Sequence, residues 1–243
     1  MPATPPIFIT TLVIGADYRK SLELCLKSKV EYAQKHNYTY VQGDEKYWDR
    51  HRPISWSKIA LTLDVCSKAP EGALIWQSDA DVLITNQDLK IEEHLAPLLP
   101  EGKDFLMVLD ACGHINAGNI LFRNTEWARD FWRRVDKQKE FTYHIWWENA
   151  AILKLMSTNP EDLKKIHVIR DHKKFNAYIQ GIPDEPLWQP GDFLVHFAGI
   201  YDLKKMKDFA EECLSGKVPR ISLPPTDVSA CKASREEYLK YVE

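Results

Sequence analysis

Residues Ile7 to Ile14 read IFITTLVI, a continuous apolar and β-branched run that ends at Gly15. A run of that kind reads as a strand buried on both faces, so the chain opens with an interior strand. From about Arg19 to His36 the apolar positions Leu22, Leu26, Val30 and Ala33 recur at helical spacing, and Tyr38 to Val41 then reads as a second strand. A helix from Ser55 to Ser67 is followed by the turn Pro70-Glu-Gly72 and a strand from Ala73 to Gln77. Further strands are expected at Asp104 to Leu109, Ile120 to Phe122, Ile166 to Ile169 and Phe193 to Phe197. Helices are expected at Glu126 to Gln138, with Trp127, Phe131, Trp132 and Val135 on one side, at Glu148 to Met156 and at Leu203 to Leu214. Such alternation predicts an α/β layered fold with a mostly parallel central sheet, helices on both faces, and ligands bound beyond the carboxyl ends of the strands. Pro219 to Ala230 is expected to wrap the surface before a short helix, Ser234 to Val242. Residues 1–218 are thus expected to form one α/β domain and 219–243 a C-terminal surface segment and short helix of the same domain.

A chain of 243 residues that is 44% hydrophobic can bury one sizeable core. Lys and Arg number 32 against 35 Asp and Glu, so no global basic field exists to hold nucleic acid or an acidic membrane surface. No stretch approaches the roughly 20 apolar residues that cross a bilayer, and the opening Met1-Pro-Ala-Thr-Pro-Pro6 lacks the pattern of a secretory signal. Cys25, Cys66, Cys112, Cys213 and Cys231 are scattered without a CxxC pair, which indicates neither a zinc site nor a disulfide framework and suits a reducing compartment. As written the chain is expected in the cytoplasm; a lumenal compartment is expected instead if it is part of a longer anchored protein.

Chemistry concentrates at four places. Asp79-Ala80-Asp81 follows the buried strand, and two carboxylates separated by one small residue form a compact hard-oxygen site for a divalent ion at phosphate. Strand alternation would aim Asp79 and Asp81 the same way, with Ala80 leaving room for the ligand; the alternative is an Asp pair capping a turn. His196 ends a later strand, with Gly199 nearby to permit close backbone approach, and is either a third metal ligand or a structural imidazole. His114-Ile-Asn-Ala-Gly-Asn119 reads as a polar turn in which Asn116 contacts a hydroxyl-rich ligand and Asn119 serves the turn alone. Trp146-Trp-Glu-Asn149, at a helix start, could orient a sugar and stabilise a positive anomeric centre, although Glu148 could equally serve the helix dipole.

Taken in order, Trp56-Ser-Lys58, Asp79-Ala-Asp81, Asn116-Ala-Gly118, Trp147-Glu-Asn149, Phe175-Asn-Ala-Tyr178 and His196-Phe-Ala-Gly199 resemble the fungal α-galactosyl- and mannosyltransferases and the plant xyloglucan xylosyltransferases. They are also similar to the retaining galactosyltransferases of bacterial lipopolysaccharide synthesis. The resemblance spans roughly Ile7 to Asp208 and implies a GT-A (Rossmann-like) fold. It implies Mn²⁺, with Mg²⁺ as the alternative, held by Asp79, Asp81 and His196 and bridging a nucleoside diphosphate. Asp79 would also reach the ribose, Val13, Gly15 and Ala16 would lie along the uridine, and Lys58 would hold the nucleotide or its phosphates. Asn116 and Gly118 would line the donor-sugar pocket, with Glu148 and Asn149 under the anomeric carbon. The family's lysine after the late His and Gly is missing here, so Lys204 or Lys205 would clamp the departing diphosphate. The implied reaction moves a hexose or pentose from UDP-glucose, UDP-galactose or UDP-xylose to a hydroxyl of an oligosaccharide or glycoprotein glycan, with retention. Two rivals remain at this point: a metal-dependent phosphohydrolase or nucleotidyltransferase, and a non-catalytic nucleotide-sugar-binding module.

Overall fold

The computed structural model describes residues 5–238. Among the described residues there are eight strands: β1 (Ile7–Leu12), β2 (Thr39–Gly43), β3 (Leu74–Ser78), β4 (Val82–Ile84), β5 (Phe105–Leu109), β6 (Ile115–Arg123), β7 (Ile166–Ile169) and β8 (Leu194–His196). The helices are α1 (Ala16–Ser21), α2 (Glu23–His36), α3 (Ser57–Lys68), α4 (Ile91–His94), α5 (Glu126–Asp136), α6 (Trp147–Thr158), α7 (Pro160–Lys165), α8 (Leu203–Leu214) and α9 (Pro225–Tyr238). Six strands form the central sheet in the order β2-β1-β3-β6-β5-β7, and β4 pairs with β8 in a separate ladder. Only β6 runs against its sheet neighbours; the β1–β2, β1–β3 and β5–β7 pairs are parallel. The mostly parallel α/β sheet is therefore as expected, with β1 in its interior.

Side chains of each strand alternate between two apolar layers. On one face Ile75, Phe105, Met107, Ile120 and Phe122 pack with Ile59 of α3, Phe131 and Trp132 of α5 and Ile152 of α6. On the other, Ile9, Trp76, Leu106, Val108 and Leu121 meet Tyr32 and Ala33 of α2, Ile91 of α4, and the β4–β8 ladder through Val82, Ile84 and Leu194. Thr125 starts α5 by accepting a hydrogen bond from the Ala128 N–H at 3.1 Å, a standard N-cap that ends the preceding extended segment cleanly.

Several local expectations change. The first long helix is broken at Leu22, and α2 buries Cys25, Leu26, Lys29, Tyr32 and Ala33 and leaves Val30 half-buried. Leu22, Leu26 and Ala33 are buried as expected, and Cys25, Lys29 and Tyr32 widen the stripe on one side, placing a lysine in it. The polar segment expected as a turn is the first half of β6: Asn116 pairs with Val108 and Asn119 with Ser78. Its polarity arises because both side chains bond Asn176 beside the site, and not from turn formation. The short β4 follows the acidic pair without a sequence signal of its own.

At the C-terminal end, α9 begins at Pro225, inside the segment expected to be irregular. Proline is well suited to a first helical position, where no N–H is needed. The expected helix end at Val242 lies outside the described residues. Cys112 and Cys231 form a disulfide, 119 residues apart, where the cysteine spacing indicated none. Spacing cannot report a partner delivered by tertiary folding. The same helix contributes Arg235, which forms an ion pair with Glu185. Among the described residues, no helix is long and apolar enough to cross a membrane.

Candidate active site

β3 is buried along its whole length, and the chain turns sharply where it ends. The Val82 N–H donates to the Asp79 carbonyl at 3.2 Å, closing a turn over Asp79-Ala80-Asp81. The Asp79 N–H donates to the Gly118 carbonyl of β6 at 2.7 Å, and the Phe197 N–H donates to the Asp81 carbonyl at 3.1 Å. Both carboxylates thus sit in a turn clamped from two sides, and strand alternation is not what aims them. The β4–β8 register sets Val82 opposite His196 and delivers the imidazole to the same point. One ligand atom from each of Asp79, Asp81 and His196 lies within 4.8 Å of the other two.

Gly118 is what allows this approach. A Cβ there would stand 2.2 Å from His196 Cε1 and 2.8 Å from Asn116 Oδ1, closer than real contacts permit. Gly118→Ala is therefore expected to displace His196 and weaken divalent-metal affinity about tenfold or more. Calorimetric titration with Mn²⁺ reads this, and unchanged affinity contradicts the geometry.

Two buried lysines serve the turn. The Lys58 ammonium on α3 lies 2.6 Å from Asp79 Oδ1 and 2.9 Å from Glu148 Oε1. Burial alone would depress it, but the carboxylates of Asp79 and Glu148 outweigh that and hold it above the ordinary lysine range. Lys29, wholly buried on α2, donates to the Asp79 carbonyl at 2.7 Å. It supports the turn from beneath through backbone oxygens. Burial lowers Lys29 to about 8 in spite of nearby Cys25, Asp81 and Asp79. Burial, with the like charges of Asp81 and Glu148, raises Asp79 against the pull of Lys58 and His196. For Asp81 the burial penalty is outweighed by the His196 imidazole, which accounts for a lowered value together with Lys29.

The shift at Lys29 has a measurable sign. Folding weakens its hold on the proton, so for this group unfolding takes up protons between about pH 8 and its ordinary value of 10.5, and its contribution to stability rises with pH across that interval. The buried thiols of Cys25, Cys66 and Cys213, each pushed by burial from 9.0 to about 12, act the other way above about pH 9, as do Tyr18 and Tyr32, raised chiefly by burial, above 10.0. Lys29→Met is expected to flatten the urea-unfolding stability profile between about pH 8 and 10 relative to the unaltered chain. Parallel profiles contradict the burial of a charge there.

These groups line a cleft of about 470 Å³ whose walls are Leu12, Ile14, Tyr18, Ile54, Ser55, Trp147 and Tyr201 in addition to the polar residues. Of the residues singled out from sequence, Lys58, Asp79, Ala80, Asp81, Asn116, Gly118, Glu148, Asn149, His196 and Gly199 all border it. Val13 is fully buried in the core, and Leu12, Ile14 and Tyr18 border the cleft at that end of β1 where Val13, Gly15 and Ala16 do not. Lys204 stands at the start of α8, its N–H bonded to Asp202 Oδ1 at 3.0 Å, and Tyr201 takes the cleft wall beside it. Asn149 is engaged within the fold: its Oδ1 accepts from the Ala117 N–H at 2.7 Å and its Nδ2 donates to the Trp146 carbonyl at 3.2 Å. Glu148 is buried with one carboxylate oxygen, Oε2, lacking a hydrogen-bond partner. The residue before it, Trp147, has φ 43°, a strained value for a bulky side chain and one that clusters at functional sites.

Sequence reasoning missed Lys29 and Tyr18, and it left Asn119 and Asn176 without a part in the site. Lys29 carried a readable signal, a cation one turn from Cys25 and one turn from Ala33 on the inward face of a helix. Tyr18 carried none. Two carboxylates and an imidazole are a donor set suited to a divalent cation, and the carboxylates of Asp79, Asp81 and Glu148 outnumber the ammonium groups of Lys29 and Lys58 around them.

A family model described as the galactosyl transferase GMA12/MNN10 family matches residues 4–101 and 98–207. An uncharacterized α-1,2-galactosyltransferase of Schizosaccharomyces pombe is 28% identical over 214 residues, covering 72% of this chain and 55% of that protein. Galactomannan galactosyltransferase 1 of Cyamopsis tetragonoloba is 24% identical over 234 residues, covering 88% of this chain and 51% of that one. The chain thus spans about half the length of these relatives. Among solved structures, a glycosyltransferase involved in glycosylation of the PBCV-1 major capsid superposes with a TM-score of 0.68 at 15% identity, over 85% of this chain and 99% of that one. The likeness is one of fold, the GT-A arrangement expected from the sequence.

Proposed function

The chain belongs to the galactosyl transferase GMA12/MNN10 family, and from that membership we propose that it is a metal-dependent glycosyltransferase that moves a hexose or pentose from a UDP-sugar to a glycan hydroxyl with retention. The observation that carries the proposal is the convergence of Asp79, Asp81 and His196 on one point in the wall of the cleft of about 470 Å³. Mn²⁺ is the proposed ion, since imidazole beside two carboxylates suits it better than Mg²⁺, which prefers oxygen ligands throughout. When bound, such an ion offsets negative charge growing on a leaving diphosphate.

The chain's own residues do the rest. Lys58 holds Asp79 and Glu148 in place and keeps positive charge beside the phosphate position. The apolar wall of Leu12, Ile14 and Tyr18 offers a surface for a flat base, with Tyr18 able to stack. Glu148 borders the cleft with Asn116 and Gly118, and its Oε2 has no protein partner, so this carboxylate is the group assigned to face developing positive charge at the sugar. With Asp79 and Asp81 assigned to the metal, and Glu148 held by Lys58 through Oε1 and assigned to the anomeric centre, no carboxylate bordering the cleft among the described residues is assigned as a base. The proton of the acceptor hydroxyl is accordingly assigned to the departing phosphate oxygen, on the same face as the incoming group. NMR of the product linkage tests this: a retained anomeric configuration is expected, and an inverted one overturns the same-face route.

The acceptor is proposed to be an oligosaccharide or glycoprotein glycan, and no nucleic acid. The Cys112–Cys231 disulfide supports a lumenal, oxidising location, one of the two expected from the sequence. Thiol labelling of protein recovered from cells without reductant should find Cys112 blocked, and a labelled Cys112 contradicts that location.

A further inference from the structure

Asn119 and Asn176 are both fully buried, and they stand in one hydrogen-bonded line with His196. At each end of that line is a group that can only donate. One is the Trp76 indole N–H, which donates to Asn119 Oδ1 at 2.9 Å. The other is the Gly118 backbone N–H, which donates to Asn116 Oδ1 at 2.8 Å. With its oxygen taken, Asn119 turns Nδ2 to Asn176 Oδ1 at 2.8 Å. With Asn116 oxygen-first, Asn176 turns its own Nδ2 to that oxygen at 3.1 Å and to the Tyr178 hydroxyl. Both ends demand the same orientation of the Asn176 amide: oxygen toward Asn119 and His196, nitrogen toward Asn116 and Tyr178.

His196 Nδ1 lies 2.9 Å from that oxygen, which can only accept, so this contact holds a proton on Nδ1, while the Asp81 carboxylate would hold the second proton of a charged ring on Nε2. A neutral imidazole has one N–H, which leaves Nε2 with a bare lone pair 3.3 Å from Asp81 Oδ1. The competing tautomer would place the proton on Nε2, where it would donate to Asp81 and close the position between them to a cation. We propose that Asn176 is a positioning residue that selects the Nδ1-protonated tautomer of His196, with the Trp76 and Gly118 donors fixing the orientation of its amide. The consequence for metal binding rests on the function proposed above; the tautomer does not.

The test uses metal-free protein labelled with ¹⁵N in its histidines, read by long-range ¹H–¹⁵N correlation at a pH where the ring is neutral, alongside Mn²⁺ titration by EPR. The unaltered chain is expected to show protonated Nδ1 and unprotonated Nε2 at His196. In Asn176→Leu the proton is expected to move to Nε2 and the Mn²⁺ dissociation constant to rise about tenfold or more. Asn176→Asp, whose carboxylate still accepts from Nδ1–H, should restore the Nδ1 proton, which a merely structural role would not do; it also serves if the Leu variant fails to fold. Nε2 protonated in the unaltered chain, or in the Asp variant, overturns the proposal, as does a Leu variant that keeps its proton on Nδ1. A tautomer that shifts in the Leu variant with no change in Mn²⁺ affinity supports the proposal while removing His196 from the metal.

Discussion

Asp81→Ala is expected to abolish the rise in thermal stability that Mn²⁺ with a UDP-sugar gives the unaltered chain, and to cut sugar transfer by about 10²–10³-fold or more. Asp81 pairs with His196 at 3.3 Å and has no lysine on its side chain, so it is the carboxylate most open to an added cation. Removing a group that supports charge stabilisation in a water-poor cleft costs about 3–4 kcal/mol in the transition state, which corresponds to that loss of rate. The turn itself is held by backbone bonds to Gly118 and Phe197, which Ala preserves. The metal-free melting temperature should therefore change little. Equal ligand-induced shifts in mutant and unaltered protein would remove Asp81 from the metal site.

Lys58→Met is expected to produce the largest loss of stability at the site. The ammonium is the shared partner of Asp79 and the almost wholly buried Glu148, and Met of similar length leaves the two carboxylates facing each other. Breaking a buried pair from one side typically costs about 3–5 kcal/mol, because the remaining charge stays buried and unpaired. The double variant Lys58→Met with Glu148→Gln should recover a large part of that, since the surviving buried charge is neutralised. Since Asp79 is already raised toward protonation, the penalty of the single variant should also shrink as pH falls. Urea unfolding of the single and double variants measures both effects, and a single variant as stable as the unaltered chain would contradict the ion-pair account.

The fold was legible where one period dominated. β7 and α8 have the bounds expected from sequence, Ile166 to Ile169 and Leu203 to Leu214, because each is a compact pattern bounded by turn residues. The mostly parallel sheet followed from the IFITTLVI run and the alternation after it. Errors arose where polar residues sit inside buried elements for the sake of the site. Asn116 and Asn119 made half of β6 read as a turn, and Lys29 hid one side of the inward face of α2. The acidic pair and His196 were readable as chemistry, yet their convergence depends on β4, a three-residue strand below the length at which periodicity speaks. The Asn176 relay and the Cys112–Cys231 bond were illegible for the same reason: each joins residues whose closeness is a product of the whole topology.

The most direct test of the central claim is a product analysis with the purified chain, a panel of UDP-sugars and a glycan acceptor, with and without Mn²⁺. UDP and an extended glycan formed only with the metal, and lost in Asp81→Ala, are the predicted result. Release of UMP with a sugar phosphate, or UDP formed equally without metal or by the Asp81→Ala variant, would contradict it.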